Sequence, residues 1–187
     1  MPCPAPVFDL ADGLIERIAS TKAPQPLLAI VQTRDTVVPA DASLVIVADR
    51  LGDPGNAGTI IRSAEAAGAD AVVLTPGSVD QYNPKVVRAS AGSLFRVPVV
   101  TAELDDVALR RLGASSHRGD DYTTVDLVAP VALVIGNEAH GLPGDTALDG
   151  WVTIPAAVES LNAAMAATLL LFEAARQRRA RGYDAGP

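Results

Sequence analysis

Uninterrupted aliphatic runs of four or five residues recur at Leu44–Ala48, Ala71–Leu74 and Val131–Ile135. Runs of that length match strands buried on both faces, as in a parallel sheet. Between them the spacing changes to a helical one. Leu10, Leu14, Ile15 and Ile18 fall on one face from Asp9 to Ala19, and the following Ser-Thr-Lys-Ala-Pro-Gln-Pro breaks the pattern. Gly52 to Gly58 reads as a loop leading into a helix from about Ala57 to Ala67, which Gly68 terminates. Asn83 is placed to cap a helix that has Pro84 in its first position. A long final helix is predicted from Glu159 to Arg181. Further strands are expected at Leu27–Val31, at Phe95–Val100 and at Val152–Ile154. Pro98 lies inside the second of these, which suits a sheet edge or a strand terminus. From Glu103 to Asp126 the pattern is weak and polar, and no element is assigned there. Strands alternating with helices imply an α/β fold, a mostly parallel sheet flanked by helices with right-handed crossovers.

Composition narrows the function classes. The chain has 187 residues, 49% hydrophobic and 4% aromatic, enough for one main domain with an aliphatic core. Its single cysteine, Cys3, rules out an internal disulfide and any cysteine-rich metal site, so no metal is expected. No apolar stretch approaches the roughly 20 residues of a membrane span. The start lacks a basic region followed by an apolar one, so a cytoplasmic protein with no membrane partner is expected. A net charge of −7 argues against a protein that coats nucleic acid nonspecifically. Arginines nevertheless gather at positions 176, 178, 179 and 181, either as a solvated last helical turn or as an RNA contact. The tail from Gly182 to Pro187 reads as frayed.

Three segments carry candidate chemistry. In Asp53-Pro54-Gly55-Asn56-Ala57-Gly58-Thr59-Ile60-Ile61-Arg62, Asn56 can cap the helix and Arg62 lies about one and a half turns into it. A guanidinium there either grips a phosphate or carboxylate with its fork or is an ordinary surface arginine. The spacing of these glycines is not the dinucleotide fingerprint. The second segment, Gly136-Asn137-Glu138-Ala139-His140-Gly141-Leu142, leaves an apolar strand at the end where α/β sheets bind ligands. Glu138 and Asn137 can bond a ligand or pin the neighbouring loop, and His140 is equally a solvated loop residue. In the third, Ile154-Pro155 leads to Glu159-Ser160-Leu161-Asn162, with Ser160 and Asn162 at the start of the last helix.

Together these segments resemble the SpoU/TrmH family of RNA ribose 2′-O-methyltransferases, within the SPOUT superfamily. Asn56-x-Gly58-x-x-x-Arg62, Ile135-Gly136-Asn137-Glu138-x-x-Gly141-Leu142, and Ile154-Pro155 with Glu159-Ser160-Leu161-Asn162 match its three motifs in order, over roughly Leu44 to Arg179. The segment from Tyr82 to Gly92 is similar to the branch containing ribosomal RNA and antibiotic-resistance methyltransferases. The resemblance implies a deep carboxyl-terminal trefoil knot, S-adenosylmethionine as cofactor, RNA as substrate (ribosomal ahead of transfer RNA), and a homodimer sharing residues across its interface. Gly136, Ile154 and Leu161 would hold the cofactor through backbone, with Asn137, Gly141 and Thr75 beside it. Arg62, Glu138, Ser160, Asn162 and Asn56 would form the catalytic group, Glu138 pairing with Asn56 or fixing the loop.

Two departures from the family pattern stand out. The connection from Ile154-Pro155 to Glu159 is two residues short and lacks the usual Met and Gly, and the Glu103–Asp126 region is compressed, as though a crossover helix had been trimmed. Residues 1–40 resemble the remnant of the substrate-binding domain of longer relatives, and residues 41–187 the catalytic domain. Two other readings compete: a noncatalytic dimeric RNA-binding module of the same fold, and a nucleotide- or NAD-binding oxidoreductase on a doubly wound sheet.

Overall fold

A computed structural model describes residues 5–19, 21 and 23–182. Cys3, Ser20, Lys22 and the tail beyond Gly182 lie outside the described residues, so the expectations placed on them are untouched. The chain divides into two units, Met1–Arg34 and Asp35–Pro187.

Among the described residues of the first unit only α1, Leu14–Ile18, is regular. Gly13 precedes it with a left-handed φ of 76°, which stops the helix from extending back toward Asp9. The strand expected at Leu27–Val31 is not formed. Its residues are irregular and open to solvent, Ile30 at 97% exposure, and without a neighbouring strand the backbone has no ladder to join.

The second unit is a seven-stranded sheet in the order β3-β2-β1-β6-β4-β7-β5, with every pairing parallel. Its strands are β1 Leu44–Ala48, β2 Ala71–Leu74, β3 Val99–Thr101, β4 Arg110–Ala114, β5 Asp120–Asp121, β6 Val131–Ile135 and β7 Gly150–Thr153. The three aliphatic runs form strands at the expected bounds, and β1 and β6 are buried at every position. β3 is an edge strand that starts just after Pro98, while Ser93–Phe95 is a 3₁₀ turn rather than strand. β4 and β5 occupy the stretch where no element was assigned. Arg110, Arg111 and Gly113 mask β4 in the sequence, although it pairs with both β6 and β7.

The two faces are covered unequally. Leu44, Ile46, Ala48, Leu133 and Ile135 belong to the core cluster that includes α2 Pro54–Ala67 and α4 Ala163–Ala180. Val45, Val47, Val73, Ala132 and Val134 face a smaller cluster completed by loop residues such as Leu104, Leu142 and Leu148. Where a crossover helix would cover that second face, the chain has one 3₁₀ turn, Leu104–Asp106.

α2 starts three residues before the expected Ala57. The carboxylate of Asp53, rather than Asn56, caps it by accepting the Asn56 N–H at 2.7 Å, and Pro54 fills the first turn. Gly68 ends it at φ 77°. α3, Pro84–Ala89, is capped by Asn83 as expected. α2 and α3 pack so closely that a Cβ on Gly58 would lie 2.4 Å from the Ala89 Cβ. α4 begins only after Asn162, whose Oδ1 accepts from the N–H groups of Ala164 and Met165, so Glu159–Leu161 belong to a loop.

The carboxyl end of α4 is pinned rather than solvated. Arg178 is 7% exposed and donates to the carbonyls of Leu127 (3.0 Å), Ser43 (2.8 Å) and Ala129 (3.4 Å) and to the Ser43 hydroxyl. Arg176 pairs with Glu173, and Arg179 and Arg181 stay exposed. Replacing Arg178 by Met would take this donor from the Leu127 and Ala129 carbonyls, while the Ser43 carbonyl keeps the Val131 N–H and the Ser43 hydroxyl keeps Asp70. An expected loss of about 2–4 kcal/mol follows from one or two unsatisfied buried groups. Urea titration at fixed protein concentration should show a lower midpoint with an unchanged slope; an unmoved midpoint contradicts the pinning role.

Candidate functional site

β1 and β6 are adjacent and parallel, so Asp49 and Gly136 leave the sheet side by side, and the Asp49 N–H donates to the Ile135 carbonyl at 2.7 Å. Ligand crevices form at these strand ends. Gly136 has no room for a side chain, since a Cβ would lie 2.3 Å from the Gly141 carbonyl carbon. The loop closes tightly through the Gly141 N–H to the Asn137 carbonyl at 2.8 Å, with Gly141 at φ 63°. The Asn137 side chain accepts from the Ala139 N–H and donates to the Arg50 carbonyl. Arg50, a non-glycine residue at φ 50°, is held by its own N–H to the Thr75 hydroxyl and by its guanidinium on Asp49. The Thr75 hydroxyl donates in turn to Asp49 at 2.8 Å. Thr75 is buried and lies outside the cleft described below.

Glu138 joins the first two motifs. Its carboxylate accepts from the backbone N–H groups of Gly52 (3.2 Å) and Asp53 (3.0 Å) and from the Asn56 amide (3.0 Å). Asn56 therefore serves both of the expected possibilities at once, pairing with Glu138 while Glu138 fixes the loop. The Asn56 Oδ1 accepts from the Asn162 amide at 2.9 Å, which brings in the third motif. Glu138, Asn56 and Asn162 thus form one hydrogen-bonded chain. Burial pushes the Glu138 carboxyl up. The bonds from Asn56, its own N–H, Asp53 and Gly52 outweigh that effect and hold it below the ordinary carboxylate value.

Beside this chain opens a cleft of about 690 Å³ lined by the loop from Gly136 to Leu142, by Ile154 and by Ser160 and Leu161. His117 and His140 also line it. Arg62 is placed elsewhere. It lies on the outward stripe of α2 with Gly55, Thr59 and Ala66, and it makes no hydrogen bond or ion pair with the described residues of its own chain. The cleft has a wall that the sequence reading missed, formed by Ser115 to Arg118 and by Trp151. No motif marks these residues; the only signal was a lone tryptophan beside a candidate strand. Among the described residues no group of three or more acidic, His or Cys side chains could hold a metal, and no helix is long and apolar enough to cross a membrane.

The family model of the SpoU rRNA methylase family matches residues 43–172. The 23S rRNA (uridine(2479)-2′-O)-methyltransferase of Streptomyces viridochromogenes is 38% identical over 89% of this chain and 66% of its own length. The 23S rRNA (guanosine(2553)-2′-O)-methyltransferase RlmP of Bacillus subtilis is 34% identical over 88% of this chain and 71% of its own length. Among solved structures, the SpoU methyltransferase AviRb from Streptomyces viridochromogenes in complex with the cofactor AdoMet superposes with a TM-score of 0.71. It is 38% identical over 76% of this chain and 64% of its own. The chain thus spans about two thirds of the length of these proteins.

The low titration of Glu138 has a testable sign. Its bonds stabilise the folded chain fully above the unfolded-state value, and that contribution is lost as pH falls through the lower folded value. Glu138→Gln removes the titration. The difference in thermal midpoint between wild type and this variant should be constant above about pH 5 and shrink below about pH 4. A difference unchanged through the acid range contradicts the assignment.

Proposed function

The chain belongs to the SpoU rRNA methylase family, and from that premise we propose that it transfers a methyl group from S-adenosylmethionine to a ribose 2′-hydroxyl of RNA, ribosomal rather than transfer RNA. The observation that carries this reading is the Glu138–Asn56–Asn162 chain, which joins a residue of each of the three motifs by hydrogen bonds, with Glu138 on the lining of the cleft. The names of the relatives support the substrate class.

The cleft suits such a cofactor. Its volume of about 690 Å³ lies within the usual span for small-molecule sites, and Gly136 and Gly141 present bare backbone to it. Gly136, Ile154 and Leu161, with Asn137 and Gly141, would hold the group. Thr75 acts one step removed, fixing Asp49 and also Arg50, whose carbonyl accepts from the Asn137 amide. When bound, S-adenosylmethionine supplies an electrophilic methyl on a sulfonium.

Ser160 and Asn162 orient the attacking hydroxyl, and Glu138 with Asn56 keeps Asn162 in place. Arg62 grips the adjoining RNA phosphate and balances the charge that develops on the ribose oxygen. A guanidinium stays protonated, so Arg62 is assigned to holding the phosphate, and the hydroxyl proton passes to that phosphate or to water as the oxygen takes the methyl group.

Arg62 faces outward on its own chain, and a homodimer places it across the interface in the partner's site. An exposed apolar stripe on α4, Met165, Leu169 and Phe172, supports that assembly. We also infer a trefoil knot at the carboxyl-terminal end. Supporting it, β4 and β5 flank β7 on opposite sides, both parallel to it, joined only by residues 115–119 that cross the β7 backbone. Residues 41–187 are assigned as the catalytic domain and 1–40 as an extension, a division the family match from residue 43 supports. We infer a cytoplasmic activity, a reading supported by the 23S rRNA named for the bacterial relatives.

Incubating the protein with tritiated S-adenosylmethionine and ribosomal RNA from a host that lacks the modification should label a ribose 2′-oxygen. Absence of label from the wild type overturns the reading. Arg62→Ala should lower kcat by about 10²–10³ while S-adenosylhomocysteine affinity in calorimetry stays unchanged; substantial residual turnover removes Arg62 from its role. Leu169→Glu combined with Phe172→Glu should shift the sedimenting species from dimer to monomer, whereas a monomeric wild type contradicts the assembly.

A further inference from the structure

Trp151 is the only tryptophan of the chain. In register it lies opposite Gly113 of β4, where a Cβ would lie 2.4 Å from the Leu148 Cδ1, 3.0 Å from the Leu142 Cδ1 and 3.1 Å from the indole, so the absent side chain leaves space that two leucines and the ring share. Arg118 lays its guanidinium over that ring, with Cζ 3.4 Å from the centroid. The backbone enforces this meeting. Gly119 sits at φ +108°, and a Cβ there would lie 2.4 Å from the Trp151 carbonyl carbon, so the loop carrying Arg118 rests directly on β7.

Arg118 is exposed, lines the cleft, and forms no hydrogen bond or ion pair among the described residues. A guanidinium with one face on an indole offers its other face as a flat cationic surface. The matching ligand is planar, aromatic and electron-rich, which describes a purine. Two purines could reach it, that of an adenosyl cofactor or a base of the RNA. The position favours the cofactor. Arg118 and Trp151 share the cleft with Gly136, Ile154 and Leu161; of the groups assigned to the RNA only Ser160 also lines it, and Asn162 and Arg62 do not.

We propose that Arg118, backed by Trp151, is the stacking wall for the cofactor's purine and sets the preference of this cleft for adenosyl ligands. The inference rests on the reading of the cleft as a cofactor site. Because Trp151 is unique, its emission reports on the wall directly.

The test titrates S-adenosylhomocysteine and 5′-methylthioadenosine into the full chain, followed by calorimetry and by tryptophan emission. Wild type should bind both with a change in emission. Arg118→Ala should weaken both by about tenfold at an unchanged thermal midpoint. Arg118→Lys should weaken them nearly as much, because an ammonium keeps the charge and loses the plane. Wild-type binding with an Arg118→Ala affinity within about twofold overturns the wall while leaving the cofactor reading intact. No binding by wild type overturns the cofactor reading and this inference with it. An emission change that follows an RNA oligonucleotide and not the adenosyl ligands, and is lost in Arg118→Ala, overturns the proposal in favour of an RNA base contact.

Discussion

The primary amide of Asn56 faces two ways, donating to a carboxylate 82 residues later in the chain and accepting from an amide 106 residues later. Glu138 at one end accepts from the Asn56 amide and two backbone N–H groups together, bonds that favour its ionised form. Asn162 at the other end spends its oxygen on capping α4 and its NH₂ on Asn56. Each of these bonds has a defined partner, which makes the three loops one unit, and the second N–H of the Asn162 amide is not used within it. A change at any member leaves a neighbour without its partner, a cost greater than the net worth of the bond itself.

The sheet determines where that unit forms. Because β1 and β6 are parallel neighbours, the loops at Asp49 and Gly136 emerge together, and the Asp49–Thr75–Arg50 cluster braces them from the β2 side. The crossing at residues 115–119 brings an arginine and a tryptophan to the opposite wall. Helices cover one face of the sheet and little more than loops the other. The cleft is therefore built by short connections whose glycines, Gly119 and Gly136 above all, allow backbone to lie against backbone.

Much of this was legible in the residues. Leu44–Ala48, Ala71–Leu74 and Val131–Ile135 are buried on both faces, so burial and sequence coincide and their bounds could be read directly. The motif residues were legible as types, and the pairing of Glu138 with Asn56 was among the expected possibilities. β4 was hidden because it carries two arginines at its entry and then Gly113, where Leu148, Leu142 and the Trp151 indole crowd the place of a side chain. Leu27–Val31 misled for the opposite reason, having strand composition with nothing to pair with. Asp53 outcompeted Asn56 as the cap of α2, which left the Asn56 side chain free for Glu138 and Asn162. Arg178 read as one of four clustered arginines, either solvated or touching RNA; only tertiary structure shows which face of α4 turns toward Ser43 and Leu127.

The claim that the three motifs act as one unit is tested most directly by a double-mutant cycle on methyl transfer to ribosomal RNA with Asn56→Ala, Asn162→Ala and the double variant. The account predicts strong non-additivity, the double variant losing little more kcat than either single one, because each change already breaks the same chain. Losses in kcat that simply multiply would show the two residues acting independently and would contradict it.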